Sequence, residues 1–373
     1  MRKTIAVILT AALLIMPVHA GTPSTSAHSA ILIHAGTGKV LYEQNANDRM
    51  LIASTTKIMT AIVVLENCDL DETVEIDSRS AGTEGSSMYL REGETYTVEE
   101  LLYGLMLVSG NDAAMALALH TAGSLEKFAG LMNDKAVELG MTGSHFANPH
   151  GLDAEGHYST ARDMAVLAAY CMENDDFACI VSSRSASVHG NELYNHNKLL
   201  GMYDGCIGIK TGYTMAAGRT LVSCAERGDT RFICVTLCDR DDWDDHAALY
   251  DWAFENYEYV RVVDSGTVYR VPAVSGEEAY AQVRAVEDGY ALLSRGEEWS
   301  VSLELPPFVI CPIYAGEKSG SISVASGGDK ICTVPLVYAN NMPAVVSGGG
   351  FISRLERLWD GLGFGKALYL TGD

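Results

Sequence analysis

Three short patterns stand in one order along the chain: Ser54-Thr55-Thr56-Lys57, Ser109-Gly110-Asn111 and Lys210-Thr211-Gly212. A serine hydroxyl is a poor nucleophile unless a base takes its proton during attack. Lys57, three residues on, shares a helix face with Ser54, and an ammonium in a dry pocket or beside another cation loses much of its hold on the proton. Lys210 can be that second cation. Ser109 can relay the proton to a leaving amine, and Asn111 can hydrogen-bond a substrate amide or hold Lys57 in place. Ile207 and Ile209 around the third motif, and Thr220, Leu221 and Val222 after it, read as strand. Gly212 has no side chain there, so a substrate backbone can lie against the strand edge and add main-chain hydrogen bonds. The chemistry described is acyl transfer through a serine ester.

Each pattern also has a plainer reading, and the chain supplies a control. Ser124-Leu125-Glu126-Lys127 matches Ser-x-x-Lys too, but it follows Gly123 and leads a run closed by Gly140, which predicts a helix N-cap. Ser54 differs in its company. It precedes the other two motifs and opens a helix apolar nearly all round from Ile58 to Leu65, the mark of a helix buried in a large core. The second motif falls at a helix break. Thr97 with Glu100 makes a capping box, the helix runs through Leu101 to Val108, and another starts after Asp112 and ends at Gly123. A polar break between two apolar helices is a rigid mount for catalytic groups.

Ser-x-x-Lys, Ser-x-Asn and Lys-Thr-Gly form the motif set of penicillin-binding proteins and class A β-lactamases. The chain resembles the low-molecular-mass penicillin-binding proteins, serine-type D-Ala-D-Ala carboxypeptidases of peptidase family S11. The likeness extends through Ala53 to Met59, Gly85-Ser86-Ser87-Met88, Leu101 to Ala114, Asn148-Pro149-His150-Gly151-Leu152, Tyr158 to Asp163, Tyr194 to Leu199 and Gly208 to Gly218, and covers residues 26 to 260. It implies Ser54 as the acylated nucleophile, Lys57 as its base, Ser109 and Asn111 as the second-motif pair, and Lys210 with Thr211 as binders of the substrate's terminal carboxylate. It also implies an oxyanion hole from the backbone N–H groups of Ser54 and of Tyr213, the residue after Gly212. No metal or cofactor is implied. The expected partners are peptidoglycan stem peptides, with β-lactams as covalent inhibitors.

One departure stands out. Similar enzymes often carry a basic residue shortly after the strand that follows the Lys-Thr-Gly strand, where it helps hold the substrate carboxylate. Here that stretch reads Asp239-Arg240-Asp241-Asp242-Trp243-Asp244-Asp245-His246, and Arg240 lies several residues early. Either Arg240 reaches in by a local rearrangement, or Lys210 and Thr211 act alone.

Along the chain, Ile31 to His34 and Val40 to Glu43 predict a hairpin around Gly36-Thr37-Gly38. Helices then dominate to about residue 181, strands return around Lys210 and from Arg231 to Cys238, and a helix follows from Asp244 to Tyr257. From about Val262 short β-rich runs take over. Tyr280 to Val286 meets Tyr290 to Ser294 across Asp288-Gly289, and Ser321 to Ala325 meets Lys330 to Val337 across Gly327-Gly328. The expected architecture is an α/β (α+β) catalytic domain with an antiparallel sheet and a helical subdomain, then a small all-β sandwich and a C-terminal amphipathic helix. Arg2 and Lys3 before an apolar run to Pro17, with Val18-His19-Ala20 as a cleavage site, predict a signal peptide over 1–20. The remaining boundaries are 21–260, 261–345 and 346–373. In the last segment Phe351, Ile352, Leu355, Leu358, Trp359 and Leu362 share a helical face opposite Arg354, Glu356, Arg357 and Asp360, too short to span a bilayer and suited to a membrane surface. The expected location is the extracytoplasmic face of the cytoplasmic membrane.

The formal charge of −22 becomes −24 without Arg2 and Lys3, which argues against nucleic acid as a partner. Nine cysteines, with no Cys-x-x-Cys, lie largely in apolar runs and read as buried small hydrophobes rather than disulfides. His145, His150, His157 and Asp153 lack the spacing of a helical zinc site. There is no Gly-x-Ser-x-Gly elbow for a Ser-His-Asp hydrolase, and no Glu-x-x-Leu-Asn loop such as a class A β-lactamase uses for deacylation. Two readings stay open beside the carboxypeptidase: an endopeptidase on cross-linked peptides, decided by access past the loop Thr83 to Arg91, and a sensor acylated once without turnover.

Overall fold

The computed structural model describes residues 21–345. The segment read as a signal peptide and the amphipathic stretch carrying Phe351, Ile352, Leu355, Leu358, Trp359 and Leu362 lie outside the described residues. The chain divides into two compact units. The first holds Tyr42–Ser223 and Cys234–Asn256 with the segment ending at Leu32, and the second holds Ile33–Leu41, Cys224–Ile233 and the chain from Tyr257.

A five-stranded sheet runs in the order Val40–Gln44, Ser29–His34, Thr230–Leu237, Gly218–Arg227, Cys206–Thr214. Its last three strands are joined by connections of two and three residues, which only antiparallel neighbours allow. The strand Cys206–Thr214, with Lys210, Thr211 and Gly212, is therefore an edge strand with one side free to pair.

The helices beside it follow from local sequence. A 3₁₀ turn, Ala53–Thr56, leads into α1 (Lys57–Leu65), whose residues from Lys57 to Val64 are all buried, as its all-round apolar sequence requires. The helix α2 (Val98–Met106) starts at the predicted capping box: the Thr97 hydroxyl accepts from Glu100 N and the Glu100 carboxylate accepts from Thr97 N. It stops two residues before Val108, because the chain must swing into Ser109 at φ 61°. Next, α3 (Asn111–Ala122) ends on Gly123 at φ 73°, and α4 (Leu125–Glu138) is capped by Ser124, whose hydroxyl accepts from Lys127 N. The second Ser-x-x-Lys pattern is thus a cap, as its context predicted. Around α1 pack α2, α3, α4 and two further helices, α5 (Ala161–Cys171) and α6 (Asp175–Ser182). The short α7 (Leu199–Met202) precedes the edge strand, and α8 (Asp242–Asn256) begins two residues before the predicted Asp244.

Among the described residues, the chain from Tyr257 is all β. Tyr257–Val263 pairs with Gly289–Ser294, while six strands order as Trp299–Glu304, Lys318–Ser326, Asp329–Tyr338, Tyr280–Ala285, Val268–Val274, Val309–Ile310. Alternate residues, such as Ala281, Val283 and Ala285, enter one apolar core with Ala291, Leu293, Val324 and Leu336. The Gly327-Gly328 hairpin forms as predicted, with Ser326 opposite Asp329. Asp288-Gly289 does not make the expected hairpin. Its flanking strands belong to different sheets, because the Asp288 carboxylate accepts from Ser265 N and Oγ, and Gly289 sits against Val263, where a Cβ would come within 2.9 Å of that valine. None of the nine cysteines forms a disulfide.

Candidate active site

Ser54 sits in a turn fixed from several sides. Thr55 Oγ1 and Thr220 Oγ1 both donate to Ile52 O, and Thr56 Oγ1 donates to Ala53 O. His157 accepts from Ala147 N through Nδ1 and donates from Nε2 to Thr56 Oγ1, so it is the neutral Nε2–H tautomer. Burial pushes its pKa down to about 4, in keeping with that role. Ala53, just before the serine, is held at φ 46°. Gly151 makes this possible: at φ 89°, a Cβ on it would lie 1.9 Å from Ala53 O.

Lys57 is fully buried, and its Nζ reaches Ser54 Oγ at 3.0 Å, Asn111 Oδ1 at 2.7 Å and the His150 carbonyl at 2.7 Å. Burial, reinforced by Lys210 and opposed by Asp112, holds its pKa well below that of an ordinary lysine. A neutral amine 3.0 Å from a hydroxyl is placed to take its proton. Lys210 is buried as well, and that burial lowers its pKa to about 7; its Nζ donates to Thr211 O.

Asn111 serves the second of its two predicted uses. Its Oδ1 accepts from Lys57, its Nδ2 donates to Glu84 O, and its backbone N donates to Ser86 O. Asp112 completes the anchoring of this loop: one carboxylate oxygen accepts from Ser87 Oγ and Leu90 N, the other from Met88 N. Ser109 Oγ is buried without a hydrogen-bond partner and lines the cleft. An orphaned hydroxyl at a reaction centre is a group awaiting its ligand.

These groups open onto a cleft of about 730 Å³ lined by Ser54, Ser86, Ser109, Thr211, Gly212 and Tyr213, together with Tyr194, His196, Arg219 and Trp243. Gly212 brings the edge strand against the nucleophile's turn: a Cβ there would lie 2.9 Å from Ser54 N. Tyr213, 62% exposed, stands at the rim. The structure thus brings together eight of the nine residues picked from sequence: Ser54, Lys57, Ser109, Asn111, Lys210, Thr211, Gly212 and Tyr213. It does not bring Arg240. That arginine is exposed and absent from the cleft wall, because the chain turns at Cys238 (φ 54°) and the turn is tied down by the Ser26 hydroxyl on Asp239 and by Asp241 N on Ser26 Oγ.

Sequence reasoning missed three contributors. The His150 carbonyl acts through backbone, which residue type does not report. Asp112 looked like a helix start. Arg219, beside Gly218 on the next strand, carried the one available signal, a basic residue in an otherwise apolar run. Among the described residues the ligand atoms that converge are those of Cys68, Glu72 and His120, within 4.8 Å of one another; His120 is ion-paired with Glu72, and none of the three lines the cleft.

A serine beside a buried, proton-poor lysine, facing an edge strand, defines a serine-type acyl-transfer enzyme. The Peptidase S11 family, D-alanyl-D-alanine carboxypeptidase, matches residues 16–241, and the C-terminal domain of penicillin-binding protein 5 matches residues 257–344. The chain is 33% identical to the D-alanyl-D-alanine carboxypeptidase DacF of Bacillus subtilis, over 89% of this chain and 88% of that one. It is 34% identical to DacC of Escherichia coli, over 91% and 88%. Among solved structures, penicillin-binding protein 5 from Haemophilus influenzae superposes with a TM-score of 0.74 at 27% identity, covering 86% of this chain and 98% of its own. A D-alanyl-D-alanine carboxypeptidase from Mycobacterium tuberculosis gives 0.60 at 37% identity, covering 64% and 94%. The chain belongs to the Peptidase S11 family.

Proposed function

We propose that the protein is a D-Ala-D-Ala carboxypeptidase that removes the terminal D-alanine from peptidoglycan stem peptides through an acyl-Ser54 intermediate. The observation that carries this is the position of Lys57 Nζ, 3.0 Å from Ser54 Oγ, in buried surroundings that lower its pKa. In this reading Lys57 takes the hydroxyl proton as Ser54 attacks the carbonyl between the two D-alanines. The Ser54 and Tyr213 backbone N–H groups receive the oxyanion, and Ser109 Oγ relays the proton from Lys57 to the departing amine of D-alanine, which leaves Lys57 neutral again. Water then attacks the ester, with Lys57 again taking the proton, and Ser54 is regenerated. Asn111 positions Lys57, and Gly212 lets the peptide backbone lie along the edge strand. A β-lactam presents the same carbonyl and leaves an acyl-enzyme in which the ring-opened amine stays tethered.

The same proposal places the mature chain outside the cytoplasmic membrane, exported by the segment 1–20 and resting on the membrane surface through 346–373. The supports are the basic-then-apolar layout of the first segment and the one-sided apolar pattern of the last.

The test is release of free D-alanine from a soluble peptide ending in Lys-D-Ala-D-Ala under multiple-turnover conditions. The unmodified chain should turn over and Ser54→Ala should not. Labelling of Ser54 by penicillin without any D-alanine release would instead favour the sensor or the endopeptidase.

A further inference from the structure

We infer that Cys68, Glu72 and His120 form a zinc-binding site that fastens together the far ends of α1 and α3, the two helices whose starts carry Lys57 and Asn111. None of the three lines the cleft, so the site is separate from the acyl-transfer machinery and stands whether or not the D,D-carboxypeptidase reading holds.

The ligand atoms converge from two places. Cys68 Sγ and a Glu72 carboxylate oxygen come from the turns that follow α1, a ring nitrogen of His120 comes from the last turn of α3, and all three lie within 4.8 Å of one another. His120 Nε2 and Glu72 Oε2 are already 3.0 Å apart. Zinc bond lengths of about 2.0–2.3 Å to nitrogen, oxygen and sulfur set tetrahedral edges of about 3.3–3.6 Å, so side-chain adjustments of about 1 Å complete the site. The backbone that carries these groups is fixed beforehand: Cys68 N donates to Val64 O, Val98 N to Glu72 O and Glu99 N to Leu70 O. Glu72 is aimed by its own turn, since Asp69 N donates to Oε1 while Oε2 faces His120. The His120 and Glu72 side chains are 25% and 42% exposed, so an ion, with a water as fourth ligand, can enter from solvent.

The donor set selects the metal. A thiolate, an imidazole and one carboxylate suit borderline-soft zinc, whereas magnesium and calcium call for oxygen on every side. Coordination takes Cys68 as the thiolate, and its proton goes to solvent. Asp69 and Asp71 stand between Cys68 and Glu72 in a chain of formal charge −22, which draws a divalent cation to this surface. The plainer arrangement, an ion pair of His120 with Glu72 alone, is worth little at an accessible position and leaves Cys68 with no part beyond its 3.4 Å contact with Thr121 Oγ1. Place in the fold gives the ion a role. The helices α1 and α3 run in the same direction, joined at their starts by Lys57 Nζ donating to Asn111 Oδ1 at 2.7 Å and meeting past their ends where Cys68 touches Thr121. A zinc ion at that second meeting point clamps the pair at the end away from the chemistry. Because only the fold brings its ligands together, it stabilises the folded chain by mass action.

The experiment titrates the full, untagged and reduced chain with Zn²⁺ against a chromophoric chelator, beside Cys68→Ser and His120→Gln. The unmodified chain should take up a single equivalent, and Co²⁺ in its place should show the absorption of a tetrahedral ion with a thiolate ligand. Each substitution should weaken uptake by at least about 10- to 100-fold, the loss that an outer-shell partner alone already causes, and Cys68→Ser should abolish the thiolate band. Zn²⁺ should raise the melting temperature of the unmodified chain and leave that of both variants in place, while Mg²⁺ in large excess should not compete. Where one variant fails to fold, the other carries the comparison. No uptake by the unmodified chain would overturn the inference. So would uptake that persists unchanged in the variants, which would assign the ion to the exposed Cys179, Cys238 or another adventitious group. D-alanine release is not a readout here, so failure of this site and failure of the carboxypeptidase reading appear in different measurements.

Discussion

At the residue scale the site is built on two lysines whose burial works against the fold. Lys57 offsets part of that cost with three hydrogen bonds, but Lys210 has one, to Thr211 O. Its pKa falls from 10.5 to about 7 through burial. Between those values the unfolded chain carries a proton that the folded chain does not, so the folded state gains stability as pH rises through this window and has lost that contribution below about pH 7. Lys210→Met removes the titrating group and keeps its volume. It should stabilise the protein by about 1–4 kcal/mol below pH 7, with the gain shrinking toward pH 10, and should abolish turnover. Urea unfolding at pH 6 and pH 9 measures this; a gain that does not shrink with pH would show that Lys210 is not the group responsible. The motif residues were legible in the sequence because their chemistry is a property of side-chain type. Ser54, Lys57 and Asn111 could be paired on that basis, while the His150 carbonyl could not, since any residue supplies one.

At the scale of the element, the caps were readable and the approaches between elements were not. Thr97 with Glu100 and Ser124 before Lys127 announced α2 and α4 by local hydrogen bonding alone. The Asp288-Gly289 pair sent the same local message as Gly327-Gly328, yet its strands part into two sheets, because Asp288 bonds Ser265 across 23 residues. Gly151 is the element-scale feature with the largest consequence for chemistry. It lets the segment after Asn148 pass under Ala53, and that passage sets both the strained turn before Ser54 and the carbonyl that holds Lys57. Gly151→Ala meets Ala53 O and demands φ 89° of an alanine, so we expect a cost of about 1–3 kcal/mol. Because Ser54 and Lys57 would shift together, penicillin acylation should slow by about 100-fold or more even where the variant is fully folded. Stopped-flow acylation alongside thermal melting separates the two effects, and an unchanged acylation rate in a destabilised variant would confine Gly151 to a structural role.

At the scale of the whole molecule, every residue lining the cleft lies between Ser54 and Trp243, within the first compact unit. The all-β unit from Tyr257 has its own core, with Val271, Val283, Leu293, Val324 and Leu336 buried among themselves. Among the described residues no helix is long and apolar enough to cross a membrane. The Mycobacterium tuberculosis carboxypeptidase structure matches 64% of this chain while using 94% of its own. The position of the cleft predicts that catalysis on a small soluble substrate needs the first unit only. A chain ending at residue 260 should therefore release D-alanine from a Lys-D-Ala-D-Ala peptide with kcat/KM within about twofold of the full protein, since no described cleft-lining residue lies beyond Trp243. Its melting temperature should fall, since Ile33–Leu41 and Cys224–Ile233 stay in the chain while the rest of the unit they belong to is removed. The comparison should be made below the truncated chain's melting transition, so that folded protein is compared with folded protein. A folded, penicillin-binding truncation that no longer turns over the peptide would place part of the deacylation machinery under the control of the β unit. Full activity on the peptide with loss of activity on intact cell-wall material would instead assign that unit to presenting the cleft to its polymeric substrate.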